Sequence, residues 1–547
     1  MLRREFLTGS SIVMGLSAAG VALAAPLHEA GSILDFGAKP DGKTLNTVAI
    51  QRAIDAAFQA GGGLVYAPPG DFLTGGLELK SRVTLYLEAG CVLLGSPSIS
   101  DYAYHPGPPV KGDANGHHLI FAQHAEDITL CGPGTINGQG ENYWEPNPLR
   151  PPVPPEQAWH DVASGHFQAI HNNDRPSPMV EIVQCRNVRI SGVTLKNSAG
   201  WTFRPIGCES VFIDGVRIRN PFWGRNTDGM DITACRNVFV SNCDIIGGDD
   251  GICLKSENPY GSDVPVSKNI TITNCAVSSA SNGFKMGTAT RGAFENIVFS
   301  NSVIYSDDGS PMKNRVIGGI NIETVDGGSV DGVVVSNIRM QNVRAPIFVR
   351  LGQRTRGEGS FLRNVLIEGV DAEGSIVTSS ITGVPGLRPS DVTISNCRIR
   401  TVAQGRADWA DRDIPEVIDK YPESWMMGRL PAYGLFVRHA DRVRLRNIEY
   451  ITDKPDGRPA IVCDDVNDII LGDLELSAPI GGAPLIELKN TCRAFLTGMR
   501  SPEDCRIFAQ VSGAESGSIE LLGNSIPKEQ KAVSYADEAR TNAVRID

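Results

Sequence analysis

Three aspartates are the residues whose type and spacing could do chemistry. Asp228 stands before Gly229, and about 20 residues further on Asp249 and Asp250 stand before Gly251, within "GRNTDGMDITACRNVFVSNCDIIGGDDGICLKS", which otherwise reads as β-strand. Adjacent carboxylates repel, so a chain that needed only strand would gain by placing Ser or Asn there. Aligning successive units on their glycines stacks "TDGMDI", "DDGICLK", "SNGFKMG" and the stretch from Gly318 to Glu323 as four neighbouring rungs. Asp228, Asp250, Asn282 and Gly318 then form one column, Asp231, Cys253, Lys285 and Asn321 a second, and Thr233, Lys255, Gly287 and Glu323 a third. Rungs of a parallel sheet lie ~4.8 Å apart, so the carboxyl groups of Asp228, Asp249 and Asp250 crowd together on one face. Such a cluster cannot ionise freely, and one proton is held to higher pH than a lone Asp would hold it. General acid and base work by carboxyl groups near neutral pH needs that, and glycoside hydrolysis is a reaction built on a pair of them. A calcium site is the competing use of the same acids; the hydrolase reading is preferred, with no metal and no cofactor.

The elements that must position these acids are legible in a repeat. From Asn187 onward, phrases such as "NVRISGVTLKN", "NVFVSNCDIIG", "NITITNCAVSS", "GVVVSNIRMQN" and "DVTISNCRIRT" recur every roughly 20 to 35 residues. Each has alternating Val/Ile positions, a two-residue polar break and a second apolar strand. One unit cannot bury its apolar face, but stacked coils close a continuous core. The expected fold is all-β: a right-handed parallel β-helix, in one domain over residues 25–547. Asn242, Asn274, Asn301, Asn337, Asn396 and Asn447 share one position, where a tight bend needs left-handed backbone and stacked amides can bond to one another. The segment Asn46 to Ala60 carries Ala49, Ile50, Ala53, Ile54 and Ala57 on one helical face, with Asn46 as N-cap, and plugs the first end of the stack. Long Pro-rich breaks from Asp101 to Pro178 and from Arg406 to Pro431 hold four of the six Trp residues and read as walls lining a cleft.

Composition narrows the partners. The chain has 547 residues, 41% hydrophobic and 21% charged, with 59 Gly, 34 Pro and few aromatics, as a large turn-rich globular protein would. A net charge of -11, without a basic stripe, argues against nucleic acid. "MLRREFLTGSSIVMGLSAAGVALAAP" resembles a twin-arginine export signal over residues 1–24, with the mature chain periplasmic or secreted and free of the membrane. The twelve Cys include no C-x-x-C pair. Cys243, Cys275 and Cys397 recur in one phrase, as stacked interior positions of the repeat rather than metal ligands.

"NTDGMD" followed by "GDDGICLKS" resembles the signature of glycoside hydrolase family 28, the polygalacturonase family, and "FGAKPDGKTLNTVAIQRAIDAA" and "GPGTINGQG" resemble its amino-terminal phrases. The likeness runs from Ile33 to about Thr324. It implies an inverting hydrolase acting on pectic polysaccharide or oligosaccharide, in which Asp249 protonates the glycosidic oxygen while Asp228 and Asp250 activate the attacking water. Family polygalacturonases carry Gly-His-Gly on the next rung and Arg-x-Lys after it. Here those places hold Ser281-Asn282-Gly283 and Asn321-Ile322-Glu323. The cations expected to hold a galacturonate carboxylate are replaced, and Glu323 would repel one by ~1 kcal/mol or more at close range. A rhamnogalacturonan-type or other branched pectic linkage, an exo-galacturonidase-type cut, or a neutral sugar in that subsite fits these changes better than ordinary endo-cleavage. Lys255, Lys285 and Arg225 either supply positive charge to substrate from other positions or neutralise the acids. Phe222 and Trp223, just before the Asp228 turn, either stack on a pyranose ring or pack a loop on the coil. Two other classes compete: a polysaccharide lyase, which needs calcium and an Arg or Lys base, and a non-catalytic carbohydrate-binding β-helix.

Overall fold

The computed structural model describes residues 29–105, 115–145, 170–171, 175–222, 224–261, 265–306, 316–355, 359–402 and 404–547. The export segment read over residues 1–24 therefore lies outside the described residues. Among the described residues, no helix is long and apolar enough to cross a membrane.

Strands dominate because apolar residues alternate along the chain, and successive strand side chains point to opposite sides. Val83–Leu87 and Cys91–Gly95 each bury every second residue. Thirty-eight such strands join in one sheet, with parallel ladders throughout its named pairings, wound as a right-handed parallel β-helix. One interior column runs Val188, Val211, Val238, Ile270, Ile297, Val333, Val365, Val392, Val443 and Ile469, each paired with the next. All are buried. Each fully buried aliphatic side chain of this size stabilises by about 1.5–3 kcal/mol, so stacking, rather than any single coil, holds the solenoid together.

The bends follow the asparagines. Asn242, Asn274, Asn301, Asn337, Asn396 and Asn447 all have φ between 50° and 57°, in the left-handed region that Asn tolerates. The amides bond in pairs rather than in one run: Asn337 Nδ2 donates to Asn301 Oδ1 at 2.9 Å and Asn447 Nδ2 to Asn396 Oδ1 at 2.8 Å. Asn242 and Asn301 turn instead to Asp214 and Thr273. A second amide ladder, Asn237–Asn269–Asn296, lies at the other end of the same strands.

Helix α1 (Thr47–Gln59) covers the amino-terminal coil and buries Ile50, Ala53, Ile54 and Ala57 into the same core. Asn46 occupies the N-cap position but makes no side-chain cap bond. Its amide is consumed by the preceding turn, accepting from Lys39 N at 2.7 Å and donating to Thr44 O at 2.7 Å. The expectation of a capping role is corrected accordingly. All twelve cysteines are free thiols, and Cys243, Cys275 and Cys397 are buried in the coil.

Between Ser390–Thr401 and Leu435–Thr452 the chain leaves the coil as a long loop that carries, among its described residues, the short 3-10 helix Ala407–Trp409. Ile414, Met427 and Leu430 of this loop pack on Phe348, Phe436 and Val462, which project from the outer face of the sheet. Arg350 fixes it in place: the buried guanidinium donates to Gly383 O at 2.8 Å, Glu416 O at 2.9 Å and Val417 O at 3.2 Å.

Candidate active site

The rungs Met230–Thr233, Ile252–Lys255, Asn282–Met286 and Gly318–Thr324 pair in the register expected from the glycines. Asp231 faces Cys253, Cys253 faces Lys285, Lys285 faces Asn321, and Thr233 faces Lys255. Each acid precedes a glycine because consecutive coils touch there. A Cβ on Gly229 would lie 2.4 Å from Gly251 O, and one on Gly251 would lie 2.4 Å from Val277 Cγ1. Asp228, Asp249 and Asp250 converge, with carboxylate oxygens within 4.8 Å of one another. Asp228 and Asp250 are buried and Asp249 is half-buried.

Two lysines neutralise part of this charge. Lys255 Nζ lies 2.5 Å from Asp231 Oδ1 and 3.0 Å from Cys253 Sγ, under the face of Trp201 at 5.1 Å. Lys285 Nζ lies 3.2 Å from Asp250 Oδ2 and 3.6 Å from Glu423 Oε1. Asn282 donates through its side chain to Asp250 Oδ1 at 2.8 Å and through its backbone at 3.2 Å. Asn321 Nδ2 donates in turn to Asn282 Oδ1 at 2.9 Å. Six carboxyl groups (Asp228, Asp231, Asp249, Asp250, Glu323 and Glu423) thus face two ammonium groups, and not all can be charged.

The protons settle by environment. Burial, then the Asp250 charge, pushes Asp249 up to about 7. Burial, then Asp231 and Asp249, holds Asp228 well above the usual carboxylate range. Burial also opposes ionisation of Asp250, but Lys285, Lys255 and the Asn282 and Ser281 hydrogen bonds outweigh it, so this carboxyl stays charged. Burial pushes Glu323 up to about 8. The cluster therefore offers a proton on its most exposed member beside a neighbour whose ionised form is favoured, the arrangement that acid–base catalysis by carboxyl groups requires. Asp228, Asp249 and Asp250 could also present oxygens to a divalent cation. The donor set fits calcium poorly, because that ion takes about six to eight oxygens and the Lys285 ammonium already occupies one side of Asp250.

A cavity of about 500 Å³ adjoins the cluster through Lys255, and Trp201, Arg204, Arg291, Arg354 and Tyr421 line it. Arg204 is paired with buried Glu181, its Nη2 2.6 Å from Oε1, and Arg354 with Asp326, its Nη2 2.7 Å from Oδ2. Arg291 is exposed and makes no ion pair among the described residues. The aromatic faces of Trp201 and Tyr421 complete a site of sugar size.

The residues read as substrate contacts fall into three groups. Lys255 borders the cavity. Asn282, Lys285, Asn321 and Glu323 are 0–1% exposed, bonded to one another or to the acids beneath Tyr421 and Glu423. Arg225 is exposed and does not line the cavity. Trp223 lies outside the described residues; Phe222, beside it, is half-buried. The expected repulsion of a uronate by Glu323 is corrected: the side chain is sealed from solvent, and burial keeps it protonated at neutral pH. Sequence reasoning missed Glu423, Tyr421, Trp201 and the Arg204–Glu181 pair. The first two sit in the loop already marked as a cleft wall, but nothing in its composition says which side chains reach back more than 130 positions to Asn282 and Lys285.

A parallel β-helix that carries proton-sharing carboxyl groups beside a cationic, aromatic-lined cavity defines the class of carbohydrate-cleaving solenoids. The chain belongs to family 28 of the glycosyl hydrolases, whose model, "Glycosyl hydrolases family 28", matches residues 109–406, and it is a glycosidase. A second model, "Rhamnogalacturonase A/epimerase, pectate lyase-like", matches residues 31–107. A "Probable polygalacturonase" of Vitis vinifera is 26% identical, covering 78% of this chain and 88% of that one. An "Exo-poly-alpha-D-galacturonosidase" of Dickeya chrysanthemi is 31% identical, over 40% of this chain and 41% of its own. The exopolygalacturonase of Thermotoga maritima shares the fold, with a TM-score of 0.57 at 22% identity, covering 77% of this chain and 91% of that one.

Proposed function

We propose that the protein hydrolyses the glycosidic bond of an acidic pectic oligosaccharide from a chain end, with Asp249 as general acid and Asp250, with Asp228, directing the attacking water. The observation that carries this is the split among the carboxyls: Asp249 is protonated up to about 7 while Asp250 is held ionised. An acidic sugar is favoured by Arg291, the cavity's cation without an ion pair among the described residues, and by the galacturonan-cleaving relatives. End-on action is favoured by the loop over the next rungs. Its Ile414, Met427 and Leu430 cover Phe348, so the groove is filled on the carboxyl-terminal side of Lys285. Inversion follows from the family resemblance. Oxygens within 4.8 Å would by themselves suit retention, because inversion leaves about 6.5–9.5 Å between carboxyls for a water.

The test is digestion of oligogalacturonides and rhamnogalacturonan oligosaccharides of defined length. The released sugars are followed over time, and proton NMR reports the first-formed anomer. Monomer or dimer appearing from the first minutes, with the anomer opposite to the linkage cleaved, is the expected result. Random fragment lengths would sink end-on action. An unsaturated product would mean a lyase, and no product from any fraction would leave a binding protein.

A further inference from the structure

The long loop adds the carboxyl group of Glu423 to a cluster in which acids already outnumber cations. Glu423 is 9% exposed; its Oε1 lies 3.6 Å from Lys285 Nζ and its Oε2 3.5 Å from Asn282 Nδ2. Those are the two donors that hold Asp250, at 3.2 Å and 2.8 Å. Tyr421, two residues earlier, places its hydroxyl 3.4 Å from the same Nζ and its ring 5.2 Å from it. A purely structural anchor would pair one carboxylate with one cation. Here a second carboxylate is buried against an ammonium already committed to Asp250, which is unfavourable unless the competition has a use. The titratable groups facing Glu423 are Lys285, Asp250, Asp249, Glu323 and Tyr421.

We propose that Glu423 is a positioning residue: from the docked loop it holds Lys285 between itself and Asp250, and thereby sets the proton occupancy of the Asp249–Asp250 pair. Loop docking and the charge state of the acids are then one event, because the catalytic rungs lack this carboxyl until the loop is seated. Burial raises Glu423 itself, with Lys285 opposing. In its ionised form it competes with Asp250 for Lys285 and is one of the charges that help Asp249 keep its proton, and an uncharged side chain in its place withdraws both effects. This rests on the reading of Asp249 and Asp250 as the catalytic pair.

The test is the pH dependence of kcat/KM for wild type, Glu423→Gln and Glu423→Ala on whichever oligosaccharide the wild type cleaves, with folding checked by circular dichroism and thermal melting. The basic limb should move to lower pH by about 0.5 unit or more in both uncharged variants, and Glu423→Asp should return it toward wild type. A folded, active variant with both limbs unmoved and only a uniform loss of rate overturns the inference alone. A wild type that cleaves no pectic fraction overturns the functional reading and this inference with it.

Discussion

Asp249 and Glu323 are both protonated beyond their usual range, yet they serve different ends. On the proposed mechanism Asp249 is the proton donor, so activity should fall as pH rises through about 7. Asp249→Asn removes the proton without changing shape; kcat should fall by about 10²- to 10⁴-fold while the melting temperature stays put, measured on the same preparation. Glu323 is buried and does not line the cavity beside the acids, so it acts on stability. Its folded state keeps a proton up to about 8 that the unfolded chain loses near 4.5, so its contribution to stability is fully present below about 4.5 and is lost as pH rises to about 8. Glu323→Gln should flatten that decline by up to about 1.4 kcal/mol per pH unit, read from denaturant titrations at pH 5 to 8. An unchanged slope would mean that Glu323 is ionised in the folded protein.

At the scale of elements, the segment between Thr401 and Leu435 covers Phe348, Phe436 and Val462 on the outer face of the sheet. Its grip rests on Arg350, whose buried guanidinium satisfies Glu416 O and Val417 O of the loop. It rests also on Arg438, whose Nη1 donates to Ile414 O at 2.6 Å. Hydrogen bonds from a charged group are worth about 1.5–3 kcal/mol each, and a carbonyl left buried without a partner adds to the loss. Arg350→Met should therefore destabilise by about 3 kcal/mol and speed proteolytic nicking within residues 404–434. It should also lower activity, although Arg350 lines no part of the cavity. Wild-type nicking rates in that variant would show that the apolar contacts of Phe348 and Phe436 hold the loop alone.

At the scale of the whole molecule, stability is shared along the stack. Phe284 and Phe299 illustrate it: both are fully buried, their rings stack 4.6 Å apart, and Phe284 immediately precedes Lys285. Phe299→Ala should cost about 3–5 kcal/mol by denaturant unfolding, and the rung carrying Lys285 should lose its rigidity with it. A loss under about 1 kcal/mol would mean that neighbouring coils collapse into the space, as loosely coupled repeats could.

The alternation of Val and Ile, the αL-tolerant asparagines and the glycines after each acid carry strictly local information. From them the coil, its register and the meeting of Asp228, Asp249 and Asp250 follow from the chain alone, because each coil contacts only its neighbours. Asn46 shows the limit even locally, since a competing turn took the amide that the helix start seemed to claim. Which charges survive around the acids was not legible. Whether Lys285 faces sugar or Asp250, and whether Glu323 is charged, depends on Tyr421 and Glu423 closing over them from more than 130 positions away. Burial and proton occupancy depend on everything within a few ångströms, and an irregular loop carries no period from which its landing place can be read. The meeting of the three acids is thus written in the repeat, while the charge and reach of the site around them were decided only when the loop packed onto the solenoid.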